Sequence, residues 1–215
     1  RATLLSDGFL VYFLYQYAEY ATALAYGPFF LLYVAIVALS LSGTALLLAR
    51  VRVAELPERF GPRFPRRAMV AFGLYMAILL GGMWLPLIAA TFDADRVTQL
   101  YGGTTLVVQA FDLGILVPVG LFTAVTVYRR LPIGHLLSAV VIVKGASIAL
   151  GIVAMLLVEA FATGEVQLPP IVIFALTAVA GAAIAVRIYR GIDAGEAVSE
   201  GGPIGTAAIT PTTAH

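Results

Sequence analysis

The chain has 215 residues, of which 61% are hydrophobic and only 12% are charged, with a formal net charge of +1. Soluble domains have about 45–50% apolar and about 25% charged residues, so a soluble globular fold is excluded. The sequence has no cysteine and only two histidines, which excludes disulfides, iron–sulfur clusters and thiolate zinc sites and disfavours a bis-histidine haem. We therefore predict no cofactor and no metal.

Six apolar runs follow one another along the chain, and each is long enough to cross about 30 Å of hydrocarbon as a helix. They predict an all-α, polytopic membrane helical bundle, because an open sheet leaves backbone groups unpaired in lipid and the period-2 pattern of a barrel does not occur. The predicted spans, named A to F, are about 3–25, 28–49, 66–91, 99–128, 132–160 and 169–189.

The ends of the chain are predicted to differ in character. Residues 1–190 form the predicted membrane domain. The first residues are not typical of a signal peptide, because Asp7, Gln16 and Glu19 interrupt them. Residues 191–215 are small, polar and rich in Gly, Pro and Thr, which predicts a disordered cytoplasmic tail.

Arginine is concentrated on one side of the predicted membrane. Six arginines lie between spans B and C, namely Arg50, Arg52, Arg59, Arg63, Arg66 and Arg67. Further pairs follow spans D and F, whereas the opposite loops are mainly acidic. The positive-inside rule then places both termini in the cytoplasm, and we expect the plasma (inner) membrane of a prokaryote. The 50–67 loop is interpreted mainly as this topology signal; contact with anionic lipid or a cytosolic partner is the alternative.

Two charged residues lie near the predicted bilayer midplane. Asp112 stands about 14 residues from the outer end of span D, and Lys144 stands about 12 residues into span E. Each charge alone costs about 2.5–3.5 kcal/mol at the centre of a membrane helix. A short turn joins the two spans, so they should be antiparallel neighbours. We therefore predict that Asp112 pairs with Lys144.

Other polar residues share helix faces with this predicted pair. At 100° per residue, Gln109 lies on the face of Asp112, and Ser147 lies on the face of Lys144. Span A carries a polar stripe that consists of Tyr12, Tyr15, Gln16, Glu19, Thr22 and Tyr26. The sequence predicts that these residues line one polar interior, although the tyrosines alone are more typical of packing or of an interfacial belt.

Two residues near Asp112 predict an irregular helix. Pro118 lacks an N–H and frees the carbonyl of Gly114, which should kink span D beside the charge. Interrupted helices next to a buried charge are typical of midplane sites in transporters. By contrast, His135, near the cytoplasmic end of span E, is interpreted as an interface residue.

These residues support two functional hypotheses. In the first, the chain is a small transporter, permease or solute-binding membrane subunit, and Asp112, Lys144, Gln109 and Glu19 form its polar core. In the second, it is a non-catalytic structural or assembly subunit, and an Asp112–Lys144 salt bridge locks two helices. A retinal-type chromophore on Lys144 is disfavoured, because few aromatic residues accompany spans D and E. No catalytic motif is recognisable, so no enzyme activity is predicted.

The predicted partners follow from the same features. The lipid bilayer surrounds the chain, and no nucleic-acid partner is expected. Span F carries a face of small residues, Ala178, Gly181, Ala182 and Ala185, that permits close helix packing. Such a face could serve the bundle itself, a homo-oligomer or a membrane partner subunit, and the sequence leaves these alternatives open.

Overall fold

The computed structural model describes residues 1–24, 26–90, 92 and 105–200, and it describes side chains as far as residue 192. All regular secondary structure in these residues is helical, which confirms the predicted fold class. The helices are α1 (Ala2–Ala23), α2 (Phe30–Leu48), α3 (Leu56–Phe60), α4 (Arg66–Ala90), α5 (Val107–Phe111), α6 (Val117–Tyr128), α7 (Pro132–Thr163) and α8 (Leu168–Glu200). A 3₁₀ turn at Val53–Glu55 precedes α3, and a π-turn at Asp112–Leu116 joins α5 to α6.

Five stretches of helix within these residues are long and apolar enough to cross a bilayer. They are Phe30–Leu48, Arg66–Ala90, Val107–Tyr128, Pro132–Thr163 and Leu168–Ile192. Helix α1 has 22 residues and is therefore about 33 Å long, but its acidic residues and tyrosines make it less apolar than the other five. The chain is thus a multi-pass membrane protein in which predicted span A is the polar exception.

Helix α7 lies at the centre of the bundle. It packs against α1, α6 and α8, whereas α4 packs mainly against α6. Met69, Ala139 and Ile142 have no exposed surface and mark the middle of the core. Helix α2 packs on α1 and exposes many leucines on its other side, as expected for a helix that faces lipid.

A tight turn makes α6 and α7 antiparallel neighbours. Leu131 N–H bonds to the Thr126 carbonyl, and Arg130 N–H bonds to the Val127 carbonyl, which is the hydrogen-bond pattern of a Schellman motif. Arg130 occupies the left-handed position with φ 60°, where glycine is the usual residue. Because the turn is this short, Asp112 and Lys144 are brought to neighbouring helices, as the sequence predicts.

Glycines allow two close helix contacts. A Cβ built on Gly73 would lie 2.8 Å from the Gly120 carbonyl oxygen, so α4 and α6 approach each other through their backbones. On α8, a Cβ on Gly181 would lie 3.0 Å from the Cβ of Ala146. The small-residue face of predicted span F therefore packs on α7 inside the bundle, at least around Gly181.

The end of the last helix differs from its predicted boundary. Helix α8 continues to Glu200, ten residues beyond the predicted boundary at 190. Ile192 explains part of this difference, because its side chain is buried beside α3 and extends the packed surface past the apolar run. Residues 201–215 of the predicted tail, and residues 93–104 before α5, lie outside the described residues.

Candidate functional site

The π-turn places Asp112 inside the bundle. Val117 N–H bonds to the carbonyl of Asp112, five residues back, so the helix widens by one residue before Pro118 begins the next regular turn. The sequence predicts that span D is irregular near Gly114 and Pro118, and the irregularity is this π-turn. Gly114 and Pro118 are themselves exposed, and the Asp112 side chain is 6% exposed. Single π-turns of this kind occur frequently at functional sites.

Both oxygens of the Asp112 carboxylate accept hydrogen bonds from other helices. The Tyr15 hydroxyl on α1 donates to Oδ1 at 2.5 Å, and the Trp84 indole N–H on α4 donates to Oδ2 at 2.7 Å. Hydrogen bonds to a charged acceptor contribute about 1.5–3 kcal/mol each. Asp112 therefore connects three helices, and it is satisfied by neutral donors.

Lys144 does not form the predicted direct pair with Asp112. Its Nζ atom is buried and has no hydrogen-bond partner in the part of the chain that the structure describes. The ammonium instead lies over the Tyr15 ring, 3.3 Å from the centroid, in a cation–π contact. The direct pair is absent because Tyr15 stands between the two groups and Trp84 takes the second carboxylate oxygen.

Glu19 brings a second carboxylate to the same place. It is 5% exposed, it lies one turn after Tyr15 on α1, and it interacts electrostatically with both Asp112 and Lys144. Gln16 donates to Glu19 Oε2 at 3.2 Å, whereas Glu19 Oε1 has no hydrogen-bond partner among the described residues. We call Tyr15, Glu19, Trp84, Asp112 and Lys144 the central cluster.

The remaining predicted site residues lie at the edge of this cluster. Gln109 is one turn before Asp112, and Ser147 is one turn after Lys144; both are partly exposed. Neither forms a hydrogen bond with the central cluster within the described residues. The structure therefore brings Asp112, Lys144, Glu19 and Gln16 together and leaves Gln109 and Ser147 beside them.

A cavity of about 370 Å³ leads to the central cluster. Helices α1, α6 and α7 form its walls, and residues such as Leu14, Leu116 and Val140 make the lining almost wholly apolar. Tyr15 and Lys144 also line it. We call this cavity the inner groove, because it extends from Lys144 toward the predicted cytoplasmic ends of α1, α2 and α7. Ile115, at its border, is 47% exposed.

Asp7 is a second lining residue with unpaired polar atoms. It is 1% exposed, it lies near Thr44 of α2, and both of its carboxylate oxygens lack a hydrogen-bond partner among the described residues. The inner groove thus has the Asp7 carboxylate toward its predicted cytoplasmic end and the Lys144 ammonium at its other end. Unpaired buried polar groups are costly and rare in folded proteins.

Sequence reasoning missed Trp84, although it is the single tryptophan and lies within span C, where its indole N–H needs a partner when buried. It placed Tyr15 on the polar stripe of span A but did not predict its role, which is to contact both Asp112 and Lys144. No described group of three or more His, Asp and Glu side chains is arranged to hold a metal ion.

Comparison of this chain with known protein families, with curated proteins and with solved structures found no match. Its function is therefore inferred from the chemistry of its own residues.

Proposed function

We propose that the protein is a small transporter, permease or solute-binding subunit of a prokaryotic plasma membrane, and that its solute binds in the inner groove against Lys144. The observation that carries this proposal is the buried Lys144 ammonium, which lines a cavity and has no hydrogen-bond partner among the described residues. An ammonium has three donors and no acceptor. Its partner should therefore be a hydrogen-bond acceptor that enters the cavity.

The lining of the groove indicates the class of solute. Apart from its polar ends, the groove is apolar, so burial of an aliphatic or ring-shaped body there is favourable. The proposed solute has an apolar body and a carbonyl or carboxylate head. Its head faces Lys144, and its body extends toward Leu137 and Asp7.

The π-turn is a candidate for the element that changes conformation when solute binds. A widened helical turn can revert to regular α-helix with a change of register, and this change would rotate Asp112 relative to Tyr15 and Trp84. Carboxylates inside a membrane domain are typical of proton and ion pathways. Protonation of Asp112 or Glu19 would therefore couple naturally to such a rearrangement.

The test uses a long-chain fatty acid that carries a photoreactive diazirine, added to the full chain in lipid nanodiscs. The expected result is saturable labelling at groove residues such as Leu14, Ile115 and Leu137, reduced at least tenfold in Lys144→Met. Ser147→Ala, one turn further along α7, is the matched control and should label as wild type does. Labelling that does not saturate, or that spreads evenly over all lipid-facing helices, would overturn the proposal.

One observation favours a second candidate, a structural or assembly subunit. The hydrogen bonds from Tyr15 and Trp84 to Asp112 connect α1, α4 and the π-turn, and such a network holds helices in place whether or not a solute binds. On this hypothesis Asp112→Asn and Lys144→Met should both lower stability, and no probe should compete for the groove. Co-purification of a stoichiometric membrane partner would also favour it.

A further inference from the structure

The arginine-rich segment between α2 and α4 is folded against the bundle. The 3₁₀ turn and α3 place Leu56 and Phe60 in the core, where they are 5% and 1% exposed. Helix α3 packs on α7 and α8. The His135 ring lies tilted against the rings of Phe60 and Phe64, with centroid distances of 5.3 and 4.6 Å. His135 is therefore buried beneath this segment, contrary to its predicted position at the interface.

The docked segment borders a second cavity, of about 230 Å³, which is open to the surface. Its apolar residues are Leu4, Val51, Leu56, Phe60 and Ile192, and its basic residues are Arg1, Arg50, Arg52 and Arg59. We call it the basic pocket. It lies at the end of the bundle that the arginine distribution places in the cytoplasm, at the level where lipid head groups are expected.

The charges around the basic pocket do not balance. Glu55 is shared by two arginines, with Arg52 at 3.2 Å and Arg59 at 2.9 Å. Hydrogen bonds from these guanidinium groups hold the pKa of Glu55 below its ordinary value, so the carboxylate stays ionised. Arg50 has no ion-pair partner among the described residues. Among the side chains that the structure describes, Arg50, Arg52 and Arg59 thus face one carboxylate, which leaves an excess of positive charge.

We propose that the basic pocket binds a phosphate group, with the guanidinium groups of Arg50, Arg52 and Arg59 on its oxygens and any attached glycerol or acyl stem on the apolar floor. Guanidinium groups match phosphate oxygens in planar, paired geometry. Basic residues alone would satisfy the positive-inside rule. A topology signal does not require a docked helix, a carboxylate shared by two arginines or an apolar floor below them.

The phosphate could belong to an anionic lipid of the cytoplasmic leaflet or to a soluble compound. The apolar floor favours the lipid, because an inorganic phosphate has no surface to bury there. The proposal uses no residue of the central cluster. If no solute bound in the inner groove, phosphate binding in the basic pocket would be unaffected. Likewise, loss of phosphate binding would not affect solute binding in the inner groove.

Native mass spectrometry of the full chain in detergent tests the proposal with dioleoyl phosphatidylglycerol as probe and dioleoyl phosphatidylcholine as the zwitterionic comparison. The expected result is preferential binding of phosphatidylglycerol, weakened about 30-fold in the double variant Arg50→Gln/Arg52→Gln. The double variant Arg129→Gln/Arg187→Gln removes the same charge outside the pocket and should bind as wild type does. Glu55→Gln should strengthen binding, because it frees two guanidinium groups.

A thermal-shift titration with inorganic phosphate distinguishes a lipid head group from a soluble phosphate compound. Stabilisation by inorganic phosphate that the Arg50→Gln/Arg52→Gln variant loses would assign the site to a soluble phosphate compound. Preferential binding of phosphatidylglycerol without such stabilisation would assign it to the lipid head group. Equal loss of binding in the pocket variant and in the control variant would overturn the proposal, because net charge alone would then explain the affinity.

Discussion

The ammonium of Lys144 lies 3.3 Å from the centre of the Tyr15 ring, and the hydroxyl of the same tyrosine donates to Asp112. One aromatic side chain of α1 therefore stands between these two buried charged groups and contacts both. A cation over an aromatic face gains about 2 kcal/mol or more when it is desolvated. This contact allows Lys144 to be buried beside the inner groove without a direct anionic partner.

Lys144→Met should leave stability unchanged or raise it. Breaking a buried ion pair by removing one partner costs about 3–5 kcal/mol, but Lys144 forms no direct ion pair. Its removal loses the cation–π contact with Tyr15, worth about 2 kcal/mol, and relieves the cost of a buried charge, about 2.5–3.5 kcal/mol. The measurement is the unfolding midpoint in detergent for wild type, Lys144→Met, Asp112→Asn and the double variant. The opposite result is a free energy of unfolding that falls by about 3 kcal/mol or more in Lys144→Met and recovers in the double variant. That result would show the direct Asp112–Lys144 pair that the sequence predicts.

Tyr15→Phe should destabilise the protein by about 1–3 kcal/mol. The substitution keeps the ring under Lys144 and removes only the hydroxyl, so Asp112 Oδ1 loses its donor while buried. Unfolding in detergent measures the effect, and Tyr17→Phe on the same helix is the control. The Tyr17 hydroxyl makes no hydrogen bond within the described residues, so its removal should change stability little. Equal effects of the two substitutions would contradict the assigned role of Tyr15.

Trp84 fluorescence should report whether residue 112 accepts the hydrogen bond from the indole N–H. Trp84 is the single tryptophan of the chain, and its indole N–H donates to the Asp112 carboxylate. Asp112→Leu removes this charged acceptor, so the emission maximum should move to shorter wavelength. Glu19→Gln changes the neighbouring carboxylate, which does not contact the indole N–H, and should leave the emission unchanged. An unaltered spectrum in Asp112→Leu would show that the indole bond does not form.

Gly73→Ala should destabilise the bundle by about 1–3 kcal/mol, the usual cost of overpacking. The added Cβ would lie 2.8 Å from the Gly120 carbonyl oxygen, so α4 and α6 would have to separate. Gly81 lies two turns later on α4, and a Cβ there would have nothing within 4 Å. Gly81→Ala should therefore be neutral or stabilising. Similar unfolding midpoints for the two variants would rule out the close contact.

The orientation of the chain can be measured directly, because it has no native cysteine. Single cysteines at Arg63→Cys and Val166→Cys lie on opposite sides of the predicted membrane, and both positions are exposed. A membrane-impermeant maleimide should label Val166→Cys in intact cells and Arg63→Cys only after permeabilisation. The reverse pattern would invert the topology and move the basic pocket to the outer surface.

The sequence by itself determined the fold class of the protein and the positions of the five apolar helices that are long enough to span a membrane within the described residues. Apolar runs of spanning length leave helices as the only structure that satisfies the backbone in lipid. The residue count also predicted that Asp112 and Lys144 lie at a similar height in the bundle, because each residue adds about 1.5 Å along a helix. The short loop after Tyr128 made their helices neighbours, and both side chains contact Tyr15. From the polar stripe of span A, Glu19 is buried in the central cluster, whereas Tyr26, which the sequence placed on the same interior face, is 89% exposed.

Only the tertiary structure decided which atoms meet. Trp84 and Tyr15 lie 28 and 97 positions away from Asp112 in the chain, and a helix that is apolar on all sides does not reveal which face it turns inward. The π-turn adds to this difficulty, since an extra residue rotates every following side chain by about 100°. The pairing of opposite charges was therefore a reasonable prediction from depth alone. Packing instead inserted Tyr15 between them and left the Lys144 ammonium at the edge of the inner groove.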